Sequence, residues 1–308
     1  MSPFRYVYDD GYDLNLGQHV FPSKKFRLVR EHLLENGIAG PEDFLRPSPA
    51  SDEDILRVHD AAWVRKLTTG TLTYLDILKL EIPYSPPMVR AFWLAAGGTT
   101  LAAQRALEDG VCYNIGGGFH HAFPGHGEGF CAINDIAVAI RRLQADGRIS
   151  RAMVVDCDVH HGNGTAAIFA ADPNVFTLSI HQLDNYPTEK PRSSLDIHLP
   201  DGTPDGEYMA KLRDGYLAAL DAFRPELVVY VAGADPFYQD QLGGLSLSFE
   251  GLLDRDSLVI ESALRMGAGV AVVLAGGYSI NVEDTITIHS NTARAAARAL
   301  AIRHTRHS

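Results

Sequence analysis

Short apolar runs recur along the chain, separated by longer amphipathic stretches. Residues 5–8, 111–115, 152–155, 175–180, 195–199, 227–231 and 270–274 read as strands. Several are unbroken Val, Ile and Leu blocks rather than alternating ones, the pattern of strands covered on both faces. Between them, residues 26–36, 88–109, 134–146, 208–223 and 249–266 predict helices. Gly37 and Gly110 stand just past two of these, where a helix-ending left-handed backbone costs least. Strand alternating with helix predicts an α/β fold of three layers, a mostly parallel sheet flanked by helices. No repeat, low-complexity block or linker composition divides residues 1–308, so a single domain is expected. Residues 81–87 and 183–192 read as loops, because both are interrupted by proline.

Composition changes this picture little. Hydrophobic residues make up 46% and charged residues 21%, which fits a packed core rather than disorder. The formal net charge of −11 argues against a nucleic-acid partner, and it suits either simple solubility or attraction of cationic substrates. Cys112, Cys131 and Cys157 form no CxxC pair, so no disulfide framework is expected and a reducing cytoplasm fits. The N-terminus lacks a signal-peptide pattern, and the longest apolar runs are too short to span a bilayer. A cytoplasmic protein with no membrane partner is expected.

Ligands of open α/β sheets bind beyond the C-terminal ends of the strands. Four predicted strands are followed by Gly116-Gly117-Gly118-Phe119-His120-His121, by Asp156-Cys157-Asp158-Val159-His160-His161-Gly162-Asn163-Gly164, by Ala232-Gly233-Ala234-Asp235 and by Ala275-Gly276-Gly277-Tyr278. A lone Asp or His at a strand end is usually a cap. Four coincident ends carrying histidines, carboxylates and a tyrosine point to chemistry. Asp156, Asp158 and His160 are spaced at two, which on an extended segment puts them on one side. Asp158 and His160 are then placed to bind one ion, with Asp235 arriving from another strand end. Two carboxylates and an imidazole suit zinc, and three protein ligands leave a position for water. With no thiolate in the set, iron, cobalt and manganese suit it too.

These motifs, with Gly129-Phe130-Cys131, resemble the histone deacetylase family in order and spacing from about residue 6 to about residue 294. Residues 113–121 and 233–248 look most like its class IV branch. The resemblance implies the arginase–deacetylase fold and zinc (or Fe2+) held by Asp158, His160 and Asp235. It implies proton handling by His120, partnered by Asp156, and by His121, partnered by Asn163, with Tyr278 bonding the substrate carbonyl. Gly129, Phe130, Gly276 and Gly277 would line the substrate channel. A structural K+ would be held by backbone oxygens near Asp156, Asp158 and His160 and by Ser179 and Ile180. A carboxylate partner favours the imidazolium and an amide does not, so His120 is expected to stay protonated and His121 to be the neutral base.

The implied activity is removal of acetyl, or long-chain acyl, from the Nε-amine of lysine in a peptide or protein. A small acylated amine such as an acetylpolyamine is the alternative substrate. A two-manganese ureohydrolase fits less well, since no second carboxylate-rich ligand set stands out. An inactive acyl-lysine-binding domain fits less well again, since every ligand is present. His181 reads as structural or as a rim residue, His126 as a solvated loop residue, and Cys131 and Cys157 as buried thiols without a catalytic role. The oligomeric state is left open.

Overall fold

The computed structural model describes residues 4–307, with side chains described through residue 303. Eight strands form one sheet: β1 (Arg5–Val7), β2 (Phe44–Leu45), β3 (Val111–Asn114), β4 (Ala152–Asp156), β5 (Val175–Gln182), β6 (Leu195–Leu199), β7 (Leu227–Val231) and β8 (Gly269–Val273). Their order is β2-β1-β3-β8-β7-β4-β5-β6 and every neighbouring pair is parallel. The predicted strands are all present, with ends moved by no more than two residues. Strand β2 is only two residues long and so carries no readable period.

Ten helices cover the sheet: α1 (Lys25–Glu35), α2 (Asp52–Leu56), α3 (Ala61–Thr69), α4 (Tyr74–Leu80), α5 (Pro86–Asp109), α6 (Asp135–Ala145), α7 (Asn163–Phe169), α8 (Asp205–Phe223), α9 (Phe249–Met266) and α10 (Val282–His307). The continuous apolar runs are buried on both sides, as their composition requires. In β7, Val229 and Val231 pack under α5 and α6, while Val228 and Tyr230 face the core shared with α8, α9 and α10. Each such buried side chain contributes roughly 1.5–3 kcal/mol. No helix among the described residues is long and apolar enough to cross a membrane.

Two sequence expectations need correction. Residues 81–87 are not wholly a loop: Pro86 and Pro87 form the first turn of α5, where a missing N–H is no loss, and the Ser85 side chain caps it by accepting from Met88 N. Helix α10 is absent from the expected set although it is the longest. Thr285, His289, Ser290 and Thr292 occupy its buried face, so its hydrophobic stripe is broken by polar residues.

Connectivity places the site. The chain leaves β3, runs through α6 and enters β4 three positions away; β7 and β8 later fill the gap. Strands β3, β8, β7 and β4 therefore lie side by side at the sheet centre, and all four end on one edge. That is the crevice a parallel sheet opens where its strand order changes direction.

Candidate active site

The loop after β3 is shaped by glycine and held by Asp135. Gly117 and Gly118 have φ of 70° and 85°, and a Cβ on Gly118 would come within 2.7 Å of the Ala275 backbone. The Gly118 and Phe119 amides donate to the Asp135 carboxylate at 3.0 and 2.8 Å. This turn delivers His120 and His121 side by side, with ring centroids 4.1 Å apart.

Strand β4 ends at Asp156, so the two-residue alternation expected to carry Asp158 and His160 does not reach them. They converge because the loop folds on its own carboxylates. Asp158 N donates to Asp156 Oδ1 at 3.1 Å and His160 N to Asp158 Oδ1 at 3.0 Å. Asp235, beyond β7, accepts from Val159 N at 2.9 Å, and Gly276 N, beyond β8, donates to Asp158 Oδ2 at 2.8 Å. From behind, the fully buried Arg255 of α9 donates to the carbonyls of Gly233 and Cys157 and ties the β7 and β4 loops together.

Asp158, His160 and Asp235 bring one ligand atom each within 4.8 Å of one another. Asp235 Oδ2 is buried without a hydrogen-bond partner among the described residues; His160 Nδ1 lies 3.3 Å from it but out of line. A buried carboxylate oxygen left bare is unfavourable unless a cation meets it. Burial and then Asp158 push Asp235 up to about 7. Burial would lower His160, but Asp158 and Asp235 outweigh it and hold it up at about 10. This donor set fits a divalent cation. Its closeness explains Gly276, where a Cβ would lie 1.9 Å from Asp235 Oδ2 and 2.6 Å from Asp158 Oδ2. Gly276→Ala should lower metal affinity about 10–100-fold, the range typical of disturbed ligand support; equilibrium dialysis against zinc measures it.

The two histidines have different partners. His120 Nδ1 is 2.6 Å from Asp156 Oδ2, and His121 Nδ1 is 2.7 Å from Asn163 Oδ1. Burial works against charge on both. At His120 the Asp156 and Asp158 carboxylates overcome it and raise the imidazole to about 9. At His121, burial and the neighbouring His120 and His160 push the pKa well below its usual value.

A cavity of about 180 Å³ opens onto this cluster. His120, His121, Asp158, His160, Gly129, Phe130, Gly276 and Tyr278 line it, whereas Asp156, Asn163, Asp235 and Gly277 stand outside the lining. A Cβ on Gly277 would instead approach Thr285 and Ala234. Phe130 and Ala275 both hold left-handed backbone, with φ of 66° and 57°. Such strain in residues other than glycine persists where surroundings impose it, often around sites of function.

Several residues at the site were not expected. Lys25 is fully buried, donates to Ala275 O at 2.6 Å and sits 5.5 Å from the Tyr278 ring centroid. Burial lowers its pKa to about 8 against the pull of Asp235, Asp158 and Asp240. Lys25→Met leaves the Ala275 carbonyl without this donor and should cost about 1.5–3 kcal/mol of stability, the worth of a charged hydrogen bond, read by urea unfolding. Glu128 accepts from Asn163 Nδ2 at 2.8 Å and from the Tyr186 hydroxyl at 3.1 Å. Glu81 and Tyr186 also line the cavity. His126, expected to be solvated, is partly buried and lies 3.2 Å from Glu128 Oε2. All three cysteines are free and buried.

The parallel sheet gathers a candidate metal centre and two partnered histidines at its central strand ends. The chain belongs to the histone deacetylase family: the histone deacetylase domain is matched over residues 19–293. It is 32% identical over 291 residues to Histone deacetylase 2 of Arabidopsis thaliana, covering 90% of this chain and 75% of that one. It is 43% identical over 279 residues to an uncharacterized protein of Picosynechococcus, covering 91% and 93% of the two chains. The solved HD domain of HDA15 matches it with a TM-score of 0.81 at 25% identity, over 97% of this chain and 89% of that one.

Proposed function

We propose that this protein is a metal-dependent amidohydrolase that removes short acyl groups, foremost acetyl, from the Nε-amine of lysine. The observation that supports it most is the convergence of Asp158, His160 and Asp235 beside two differently partnered histidines, with Asp158, His160 and both histidines lining one cavity. Those three residues would hold zinc, with Fe2+ as the alternative. When bound, such an ion supplies Lewis acidity to a carbonyl and acidifies water.

The chain's own groups divide the remaining work. The acyl carbonyl is directed toward Tyr278, whose hydroxyl donates to the oxygen as charge develops on it. His121, with Nδ1 directed at Asn163, presents Nε2 as the base that takes the proton of the attacking water. His120, held protonated by Asp156, returns a proton to the departing amine. Gly129 and Phe130 form the channel wall around the lysine stem, and Gly276 lets the backbone pass close to the reacting end. Backbone oxygens near Asp156, Asp158, His160, Ser179 and Ile180 would hold a structural K+.

A cavity of about 180 Å³ is small beside the ~300–1,000 Å³ pockets that take drug-sized ligands, which favours acetyl over a long chain. A second reading, an acetylpolyamine or other small acylated amine as substrate, is favoured by Glu81. Its carboxylate belongs to the cavity lining with Glu128 nearby, and would suit a second ammonium group. One assay separates these readings. Acetyl-, octanoyl- and myristoyl-lysine peptides are compared with acetylputrescine and acetylspermidine, on zinc-loaded and chelator-stripped protein. Acetyl-lysine turnover should lead, and should disappear on stripping and return with zinc. Undiminished turnover by stripped protein would end the metal-dependent reading, and preference for acetylspermidine would move the substrate to polyamines.

A further inference from the structure

A second group of metal-ligating side chains lies next to the catalytic one in sequence and is used by none of the chemistry above. His161 follows the ligand His160 and is fully buried. His181, the penultimate residue of β5, is also fully buried, and Asp196 and His198 belong to β6. In the parallel register Ser179 pairs with Asp196 and His181 with His198, so these side chains share one face at the sheet edge.

Ligand atoms of His161, His181 and Asp196 lie within 4.8 Å of one another, as in the Asp158, His160 and Asp235 set. His161 Nε2 is 3.1 Å from Asp196 Oδ1, and His181 Nε2 is 2.9 Å from His198 Nδ1. Two ligands bound tetrahedrally at ~2.0–2.1 Å stand about 3.3 Å apart. These pairs are therefore close to the separation an ion would impose. His181 and Asp196 also have the outer contacts a metal ligand needs. Ser179 Oγ lies 2.9 Å from His181 Nδ1, and Ser193 N donates to Asp196 Oδ2 at 3.0 Å. His161 Nε2, the nitrogen turned to Asp196, also lies 3.3 Å from Ser193 Oγ, and its Nδ1 is buried without a partner among the described residues. Within those residues Asp196 forms an ion pair only with His161, so no Lys or Arg neutralises it. Asp196 is partly buried and His198 is exposed, which gives an ion a way in from solvent.

We infer that His161, His181 and Asp196 form a second site for a divalent transition metal of the zinc class, with His198, 2.9 Å from His181, on its solvent side. Imidazole-rich donors select zinc-like ions over magnesium, calcium or potassium. The site joins the loop carrying His160 to β5 and the edge strand β6, and it stands whether or not the catalytic reading holds.

The test is zinc stoichiometry and affinity on metal-stripped protein, by calorimetric titration and elemental analysis. The native chain should take two equivalents, Asp235→Asn should keep one, and His181→Gln with Asp196→Asn should also keep one. In the Asp235→Asn background, cobalt(II) should give a tetrahedral visible band that His181→Gln abolishes. If His181→Gln fails to fold by circular dichroism, His198→Ala and Asp196→Asn, both nearer solvent, serve instead and should weaken the retained site at least ten-fold. Saturation of the native chain at one equivalent overturns the inference. So does Asp235→Asn protein that binds no zinc, or a second equivalent indifferent to the His181, Asp196 and His198 variants.

Discussion

Tyr278→Phe should lower kcat about 10²–10³-fold, the usual loss for one oxyanion donor, and leave KM within a few-fold. The substitution removes a hydroxyl and little else. The Tyr278 ring stands 6.2 Å from both Phe21 and Phe130, centroid to centroid, and a phenylalanine keeps those contacts. Its backbone is pinned independently, by Tyr278 N donating to Asp240 Oδ2 at 2.6 Å and its carbonyl accepting from Gln241 N at 3.2 Å. Burial, then the Asp158 and Asp235 carboxylates, push the phenol well above its ordinary pKa. The hydroxyl therefore remains a donor across the working pH range. Zinc stoichiometry and the circular dichroism spectrum should match the parent, so a fall in kcat isolates the hydroxyl. Wild-type turnover in the variant would remove Tyr278 from the chemistry.

The central strands were legible because they are covered on both faces, and a strand with no solvent side is written as an unbroken apolar run. The site was legible for a related reason. A parallel sheet sends all its strand ends one way, so residues after 115, 155, 231 and 274 had to meet. What stayed hidden was whatever depends on tertiary closure. Lys25 looks in sequence like one more surface lysine at a helix start, and only the packing of α1 brings its ammonium to Ala275. Glu128 precedes the recognised Gly129-Phe130 pair, yet Asn163 and Tyr186, which donate to its carboxylate, are 35 and 58 residues away. His181 read as structural because the register of β5 with β6, which sets it beside His198, cannot be derived from either strand alone. Asp158 and His160 lie close to Asp235, but not by strand alternation, because β4 ends at Asp156. The segment is a turn held by its own carboxylates, and an alternating strand would not have made those contacts.

His121→Ala should reduce kcat about 10²–10⁴-fold, the range for a lost general base, and the groups behind His121 show how it is set up. An amide can face either way, and an Asn163 presenting its NH2 would hold His121 in the wrong tautomer. Glu128 decides the matter. It takes the Asn163 NH2 at 2.8 Å, so the amide oxygen faces His121 Nδ1, which must then be the N–H, and Nε2 keeps its lone pair. Glu128→Gln offers either end to the amide and weakens that preference. It should lower kcat roughly ten-fold, as expected for loss of a charge-assisted bond. Asn163→Asp acts on the charge instead. A carboxylate behind His121 favours the imidazolium; the base must be neutral to work, so the acidic limb of the pH–rate profile should move to higher pH. The same change sets a second carboxylate against Glu128. In the Asn163→Asp background Glu128→Gln should therefore raise kcat, the reverse of its effect in the native chain. A residue that merely props the loop would be missed equally in both backgrounds, and equal losses would dismiss Glu128 as the group that orients the amide. An unmoved acidic limb in Asn163→Asp would dismiss His121 as the base.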